Sequence, residues 1–195
     1  RSKDKKRGKK MVGSVEEKNV AVGHTDSKTK QIALDAVFVA LTLVFTAFVN
    51  IQIPSFGGAG GLIHLGNVPL FIAAMLFGKR TGALAGGLGM GLFDVLSGWA
   101  LWAPCTVITC GLMGFVVGSI CTKWKGFLAK VAAVFVALAI KLAGYYVFEA
   151  FIMGNGMAAA LKSVPGNVIQ VVVAAIIVLI IIEPLSAGVR AIAKR

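Results

Sequence analysis

Six apolar segments account for most of this sequence, and their number and length restrict the fold more than any other feature. They cover approximately residues 31–53, 64–77, 81–96, 104–120, 127–153 and 165–183. An α-helix needs about 20 mainly apolar residues to cross a bilayer. Only 14% of the residues are charged, where soluble domains have about 25%. The sequence therefore predicts an all-α integral membrane protein with six transmembrane helices in residues 31–195.

Residues 1–30 differ from the rest of the chain because they are strongly basic and lack apolar periodicity. They hold half of the 20 Lys and Arg residues, beside the acidic residues Asp4, Glu16, Glu17 and Asp26. Such composition is typical of disordered segments. We expect a disordered basic cytoplasmic tail, part of which could come from cloning. Since no basic face interleaved with aromatic residues follows, we expect no nucleic-acid binding.

The connections between the apolar segments alternate in charge, which predicts their orientation. The connections that contain Lys79 and Lys123 are basic, as is the C-terminus with Arg190, whereas residues 53–63 and 97–104 contain no charged residue. Cytoplasmic loops concentrate Lys and Arg. Both termini are therefore predicted to be cytoplasmic.

Polar side chains gather near the predicted outer ends of the helices. Those that we expect to bind a ligand are His64, Asn67, Asp94, Trp102, Lys141, Tyr145, Glu149, Asn167 and Gln170. Ionisable groups inside a membrane are costly, at about 2.5–3.5 kcal/mol on insertion scales, and usually face an interior or an aqueous cavity. Lys141, Tyr145 and Glu149 are spaced i, i+4, i+8 and share one helix face. The pattern predicts an outward-open cavity for a small, hydroxylated, largely uncharged aromatic heterocycle.

A purely structural role is the alternative for the same residues. Lys141 could pair with Glu149 or with Asp94 and only hold the bundle together. Lys141 and Glu149 are about 12 Å apart along a helix axis, which makes their direct pairing doubtful. Tryptophan and tyrosine also favour membrane interfaces whatever the function, so Trp102 or Tyr145 could be an interfacial anchor.

Small residues line one side of the first predicted helix, at Ala33, Ala36, Ala40 and Ala47. Small residues at four-residue spacing let two membrane helices approach closely. The third segment is rich in glycine, and we expect those glycines to pack inside the bundle. The alanine side of the first helix could instead contact another protein.

Several catalytic and metal-binding motifs are absent from the sequence. It contains no G-x-x-x-x-G-K-[ST] phosphate-binding loop, no H-E-x-x-H and no C-x-x-C. Cys105, Cys110 and Cys121 are expected to be small packing residues, with no disulfide framework and no metal site. The chain is thus predicted to hold no metal or other cofactor.

Two other functional classes remain open from the residues alone. A membrane enzyme could use Ser97 or Asp94 with His64 as its imidazole partner. A self-sufficient proton-coupled carrier could use Asp94, Lys141 and Glu149. Tight stoichiometric ligand binding without turnover would favour the predicted binding protein, and uptake by the chain alone in a proton gradient would favour the carrier.

From about residue 31 to the C-terminus the sequence resembles the substrate-binding S components of energy-coupling factor (ECF) vitamin transporters. The stretch that carries the resemblance is HLGNVPLFIAAMLFGKRTGALAGGLGMGLFDVLSGWALWAPCTVITCGLMGFVVG, residues 64–118. It is similar to the riboflavin-type branch, and especially to members assigned to hydroxymethylpyrimidine or pyridoxine.

The resemblance implies a non-catalytic subunit in the cell membrane, expected to be bacterial, that captures a vitamin outside and delivers it inward. Its implied partners are a membrane T subunit and two cytoplasmic ATPases, which would bind the ATP and Mg²⁺. The family's small-residue surface for the T subunit corresponds to Ala36 and Ala40. The stretch PGNVIQ resembles the start of the family's sixth helix, which implies a binding role for Asn167 and Gln170.

Overall fold

The computed structural model of the chain describes residues 28–56 and 59–192. Most of the predicted N-terminal tail therefore lies outside the described residues. Residues 28–30, which the sequence assigned to that tail, are the first residues of a helix. The chain divides into two compact units within this helix, one ending at Ala36 and the other beginning at Val37.

Six helical segments make up most of the described chain. The first three are α1 (Lys28–Phe48), α2 (Asn67–Phe77), and α3 (Lys79–Leu84), which a π-helical turn at Ala85–Gly89 joins to α4 (Met90–Leu96). The last three are α5 (Ala103–Lys123), α6 (Phe127–Val147) with a π-helical turn at Phe148–Ile152, and α8 (Val164–Ile192), preceded by α7 (Met157–Ala160) and a 3₁₀ turn at Leu161–Ser163.

Four of these segments are long and apolar enough to cross a membrane. They are Lys28–Phe48, Ala103–Lys123, Phe127–Ile152 and Met157–Ala191. The α2 helix has 11 residues, which is short for a bilayer, and the third segment is interrupted by its π-helical turn. The predicted helical membrane fold with six segments is confirmed.

A β-hairpin between the first two helical segments was missed by the sequence analysis. Strand β1 (Asn50–Phe56) pairs antiparallel with β2 (Ala59–His64), and Ile51 lies opposite Ile63. The expected helical spans 31–53 and 64–77 were therefore wrong at these ends. The sequence Asn-Ile-Gln-Ile alternates polar and β-branched residues, which is the two-residue period of a strand. The segment was assigned to a helix because only its apolar length was considered, not its two-residue period.

The sixth segment also ends later than expected. The helix passes through Pro184 and continues to Ile192, whereas the predicted span ended at residue 183, just before that proline. Proline removes one N–H donor, but membrane helices tolerate it because neighbouring groups can satisfy the freed carbonyl.

Glycines allow α3 and α5 to approach closely, as predicted for the third segment. A Cβ atom at Gly114 would lie 2.1 Å from the Gly82 carbonyl oxygen, and one at Gly118 would lie 2.4 Å from the Lys79 nitrogen. The adjoining core contains fully buried Phe71 and Met113. This packing holds α3 against α5 at the end of the bundle that contains Lys79.

Candidate ligand-binding cavity

A cavity of about 280 Å³ lies where the hairpin meets the ends of four helical segments. Its lining comes from β2, the end of α4, the turn before α5, the start of α5, the end of α6 and the start of α8. Eight of the nine residues expected to bind a ligand line it: His64, Asp94, Trp102, Lys141, Tyr145, Glu149, Asn167 and Gln170.

Lys141 is held inside the bundle by neutral partners. Its side chain is 1% exposed, its Nζ donates to Gln170 Oε1 at 2.9 Å, and its Nζ lies 5.6 Å from the centre of the Tyr145 ring. Within the described part of the chain, Lys141 forms no ion pair with Asp94 or Glu149. The alternative that either carboxylate ties Lys141 into the bundle is therefore not what the structure shows.

Both polar atoms of the Gln170 side-chain amide form hydrogen bonds within the protein. Its oxygen accepts from Lys141, and its Nε2 donates to the Leu62 carbonyl at 2.6 Å. Gln170 thereby connects α6, α8 and β2 at the cavity wall. Because both of its polar atoms are engaged, the amide is not available to a ligand in this arrangement.

Aromatic side chains form one wall of the cavity. The rings of Trp102 and Tyr145 are stacked with centroids 6.1 Å apart, and Trp102 also packs on Phe148 at 5.6 Å. The Tyr145 hydroxyl shares a hydrogen bond of 2.9 Å with the Thr106 hydroxyl. Trp99, which sequence reasoning left in a loop, lines the cavity as well.

Two carboxylates line the cavity from different elements. Asp94, on the last turn of α4, lies beside Thr106, and its Oδ2 is buried with no hydrogen-bond partner among the described residues. Glu149 is 2% exposed and lies beside Ser163. It belongs to the π-helical turn after α6, a widened turn that frequently occurs at functional sites.

Asn167 and His64 each use one side-chain atom within the protein. Asn167 Nδ2 donates to the Ser163 carbonyl at 3.2 Å. His64 Nδ1 accepts from the Gly66 N–H at 3.2 Å, so a neutral imidazole carries its proton on Nε2. The Asn167 side-chain oxygen and His64 Nε2 have no hydrogen-bond partner in residues 28–56 and 59–192, and both residues line the cavity.

Asn67 is the predicted site residue that the structure places outside the cavity lining. It is fully buried, and neither of its amide atoms has a hydrogen-bond partner among the described residues. The reason is the later start of α2, whose first turn is packed into the core. The sequence analysis had begun this helix at His64 and placed both residues at an open end.

Several lining residues were not identified from the sequence. They are Leu62, Ile63, Trp99, Thr106, Lys162, Ser163, Pro165, Gly166 and Ile169. Trp99 carried a usable signal, because aromatic residues near polar groups favour a binding wall. Ser97, named in the enzyme alternative, is exposed at the end of α4 and is not part of the lining.

The cysteines are buried and free at Cys105, Cys110 and Cys121. Within the described residues, no group of three His, Cys, Asp or Glu side chains is placed to hold a metal ion. Cys110 Sγ lies 3.8 Å from the Tyr145 hydroxyl. The Cys110 side chain thus packs against the aromatic wall.

The alanine side of α1 is exposed. Ala36 and Ala40 are both exposed, and Val44 on the same side is also exposed, whereas Thr42 and Thr46 are buried.

Known proteins resemble this chain in sequence and in fold. The sequence matches the model of the family described as "ECF-type riboflavin transporter, S component" over residues 26–187. The thiamine precursor transporter HmpT of Lactococcus lactis subsp. cremoris (strain MG1363) is 32% identical over 144 residues, which are 74% of this chain and 80% of that protein. An uncharacterized gap 3'-region protein of Pyrococcus woesei is 37% identical over 75 residues, which are 38% of this chain and 48% of that protein.

One solved structure has a similar fold. It is the crystal structure of the S component for biotin from an ECF-type ABC transporter, with a TM-score of 0.55 and 17% sequence identity. The similarity covers 81% of this chain and 93% of that chain. At this identity the likeness concerns the fold alone.

Proposed function

Given that the chain belongs to the family of ECF-type riboflavin-transporter S components, we propose that its cavity binds a small water-soluble vitamin or vitamin precursor. Hydroxymethylpyrimidine and pyridoxine are the proposed ligands, captured on the extracellular side of a bacterial cell membrane. A membrane T subunit and two cytoplasmic ATPases then deliver the ligand inward. ATP and Mg²⁺ belong to those partners in this proposal, and the chain itself catalyses no reaction.

The observation that carries this proposal is the cavity and its chemistry. Its volume of about 280 Å³ lies just below the usual range of ligand sites, about 300–1,000 Å³, and so suits a small ligand. Aromatic rings, two carboxylates, an imidazole and an amide line it, and these groups suit one aromatic ring with amino and hydroxyl groups. A flavin has three fused rings and a sugar-alcohol chain, so it fits less well.

The relative from Lactococcus lactis supports the same choice of ligand. That protein is named a thiamine precursor transporter, and hydroxymethylpyrimidine is the pyrimidine precursor of thiamine. The riboflavin of the family description is then the ligand of other members.

The position of the cavity supports extracellular capture. Thr106 lies near the start of α5, and Lys123 ends that helix, about 26 Å farther along its axis. The Lys79 connection packs against the same distant end, because a Cβ atom at Gly118 would contact Lys79. Since basic connections favour the cytoplasm, the cavity is proposed to open outward.

The exposed alanine side of α1 is the proposed surface for the T subunit. Ala36 and Ala40 would allow a partner helix to approach closely. Both are exposed, which favours contact with a partner over internal packing.

Two measurements test the proposal. The purified chain should bind hydroxymethylpyrimidine or pyridoxine with one-to-one stoichiometry in calorimetry and without turning it over. In proteoliposomes, the chain alone should not accumulate the ligand, whereas the chain with a T subunit and both ATPases should do so with ATP. Accumulation by the chain alone in a proton gradient would establish the carrier alternative instead.

A further inference from the structure

The segment Asp94–Trp99 closes the end of α4 in a way that brings two cavity residues together. The Trp99 N–H donates to the Asp94 carbonyl at 2.9 Å, and the Ser97 N–H donates to the Phe93 carbonyl at 2.9 Å. Gly98 between them has φ +83°, the left-handed conformation typical of such a helix end. Asp94 and Trp99 are therefore fixed relative to one another, and both line the cavity.

Asp94 offers the cavity a hydrogen-bond acceptor that the protein does not use. Its Oδ2 is buried and has no partner among the described residues. Leaving a buried acceptor unsatisfied is costly, so a ligand with a well-placed donor would gain from pairing there. Its neighbour Thr106 shares a hydrogen bond with the Tyr145 hydroxyl in which either hydroxyl can be the donor, so Thr106 can donate to one Asp94 oxygen while Oδ2 stays without a partner.

Trp99 offers a ring that other side chains do not occupy. Trp102 packs on Tyr145 and Phe148, and Tyr145 also contacts the Lys141 ammonium. In the part of the chain that the structure describes, Trp99 has no aromatic or cationic partner. Its ring is thus better placed than that of Trp102 or Tyr145 to stack on a ligand.

The other polar groups of the cavity lining further limit which ligands can bind. Lys141 donates to Gln170, and Gln170 donates to the hairpin. The side-chain oxygens of Asp94 and Asn167 without protein partners are acceptors, whereas the Nε2–H of His64 is a donor. The cavity therefore favours a ligand whose ring edge donates hydrogen bonds and which also offers one acceptor to His64.

We infer that Asp94 and Trp99 form one recognition element for an aminopyrimidine, with Asp94 on the edge of the ring and Trp99 on its face. The exocyclic amine of an aminopyrimidine presents an N–H at the ring edge that can donate a hydrogen bond to the Asp94 carboxylate. Pyridoxine has no such amine. The inference rests on the proposed function and selects hydroxymethylpyrimidine from its two candidate ligands.

Calorimetry with three compounds tests this assignment on the purified full chain. The compounds are hydroxymethylpyrimidine, its analogue in which oxygen replaces the exocyclic amine, and pyridoxine. The wild type should bind hydroxymethylpyrimidine at least about tenfold more tightly than the oxygen analogue, since the analogue places an acceptor against the carboxylate. Pyridoxine should also bind at least about tenfold more weakly.

Substitutions then separate the role of Asp94 at the edge of the ligand ring from the role of Trp99 on its face. Asp94→Asn should lower the preference for the amine over the oxygen analogue by at least about tenfold, because the amide can donate to that oxygen. Trp99→Leu should weaken both compounds by about tenfold and leave their ratio unchanged. Trp124→Phe, at an exposed tryptophan outside the cavity lining, is the control and should alter neither.

A matched pair of glycine substitutions tests the fixed geometry. A Cβ atom at Gly98 or at Gly126 meets nothing within 4 Å, and both residues have positive φ, +83° and +105°. Gly98→Ala strains only the segment that joins Asp94 to Trp99, so it should weaken hydroxymethylpyrimidine binding by several-fold. Gly126→Ala introduces strain of the same kind between α5 and α6, beyond Lys123 at the end far from the cavity, and should leave that affinity unchanged.

The outcomes also separate this inference from the proposed function. Equal wild-type affinity for the amine and oxygen compounds, or an unchanged ratio in Asp94→Asn, would overturn the inference. Tighter binding of pyridoxine would do the same and leave the vitamin-binding proposal intact. Folded wild-type protein that binds none of the three compounds would overturn both. If Asp94→Asn does not fold, the wild-type ratio alone decides.

Discussion

The contact between Lys141 and Gln170 predicts that substitutions at these two residues have non-additive effects on the free energy of unfolding. Lys141 is 1% exposed and donates to Gln170 at 2.9 Å. A hydrogen bond to a charged group contributes about 1.5–3 kcal/mol, and the bond from Gln170 to the Leu62 carbonyl contributes about 0.5–1.5 kcal/mol. Gln170→Leu removes both and strands a buried ammonium. We expect it to lower the free energy of unfolding by about 3 kcal/mol.

Lys141→Met in the same protein should relieve part of that loss, because no buried charge then remains without an acceptor. The wild type, Gln170→Leu, Lys141→Met and the double variant form a double-mutant cycle. We expect this cycle to give a coupling free energy of about 2 kcal/mol between the two residues. Equilibrium unfolding in mixed micelles with increasing SDS, followed by circular dichroism, measures it. Gln170→Glu is the control, since it keeps an acceptor for Lys141 and replaces the hydrogen bond to the Leu62 carbonyl by a contact between two acceptors, so its loss in stability reports the hairpin contact and not a stranded ammonium. Losses in the single variants that add to within about 0.5 kcal/mol would refute the reasoning.

Three further predictions concern other parts of the molecule. Ala40→Leu should weaken capture of the T subunit in a pull-down while ligand affinity stays within about twofold of the wild type; a collapse of affinity would mean that this side of α1 packs internally. Glu149→Gln and Asn167→Ala should each weaken hydroxymethylpyrimidine binding by at least about tenfold in calorimetry, and unchanged affinity in both would remove α6 and α8 from the site. Gly114→Ala should lower the free energy of unfolding by about 1–3 kcal/mol because its Cβ meets the α3 backbone, whereas Gly188→Ala, which meets nothing within 4 Å, should not destabilise the protein.

The sequence by itself was sufficient to predict the membrane fold. Apolar segment lengths gave six helical segments, because the bilayer sets a minimum length for each span. Lys141, Tyr145 and Glu149 could be expected to face one cavity, since charged groups in a membrane helix need a polar environment. These are properties of each segment taken alone, and they do not depend on which neighbour it meets.

The hairpin and the length of the sixth helix were beyond the same reasoning. Residues 50–56 are apolar enough to extend a membrane helix, and only their pairing with 59–64 makes them a strand. Pro184 is an ordinary stop signal, yet the helix passes it. In the hairpin, the pairing between the two strands supplies the hydrogen bonds that local sequence leaves undetermined.

Only the tertiary structure determined which polar groups remain free for a ligand. Gln170 and Asn67 looked equivalent to Asn167 in the sequence, but Gln170 is bonded at both ends and Asn67 is buried in the core. Trp99 reaches the cavity through the turn at Gly98. The two hydrogen bonds of Gln170 are formed with partners that are 29 and 108 residues away in the sequence. Periodicity along one helix predicts which face a side chain occupies, but it contains no information on those partners.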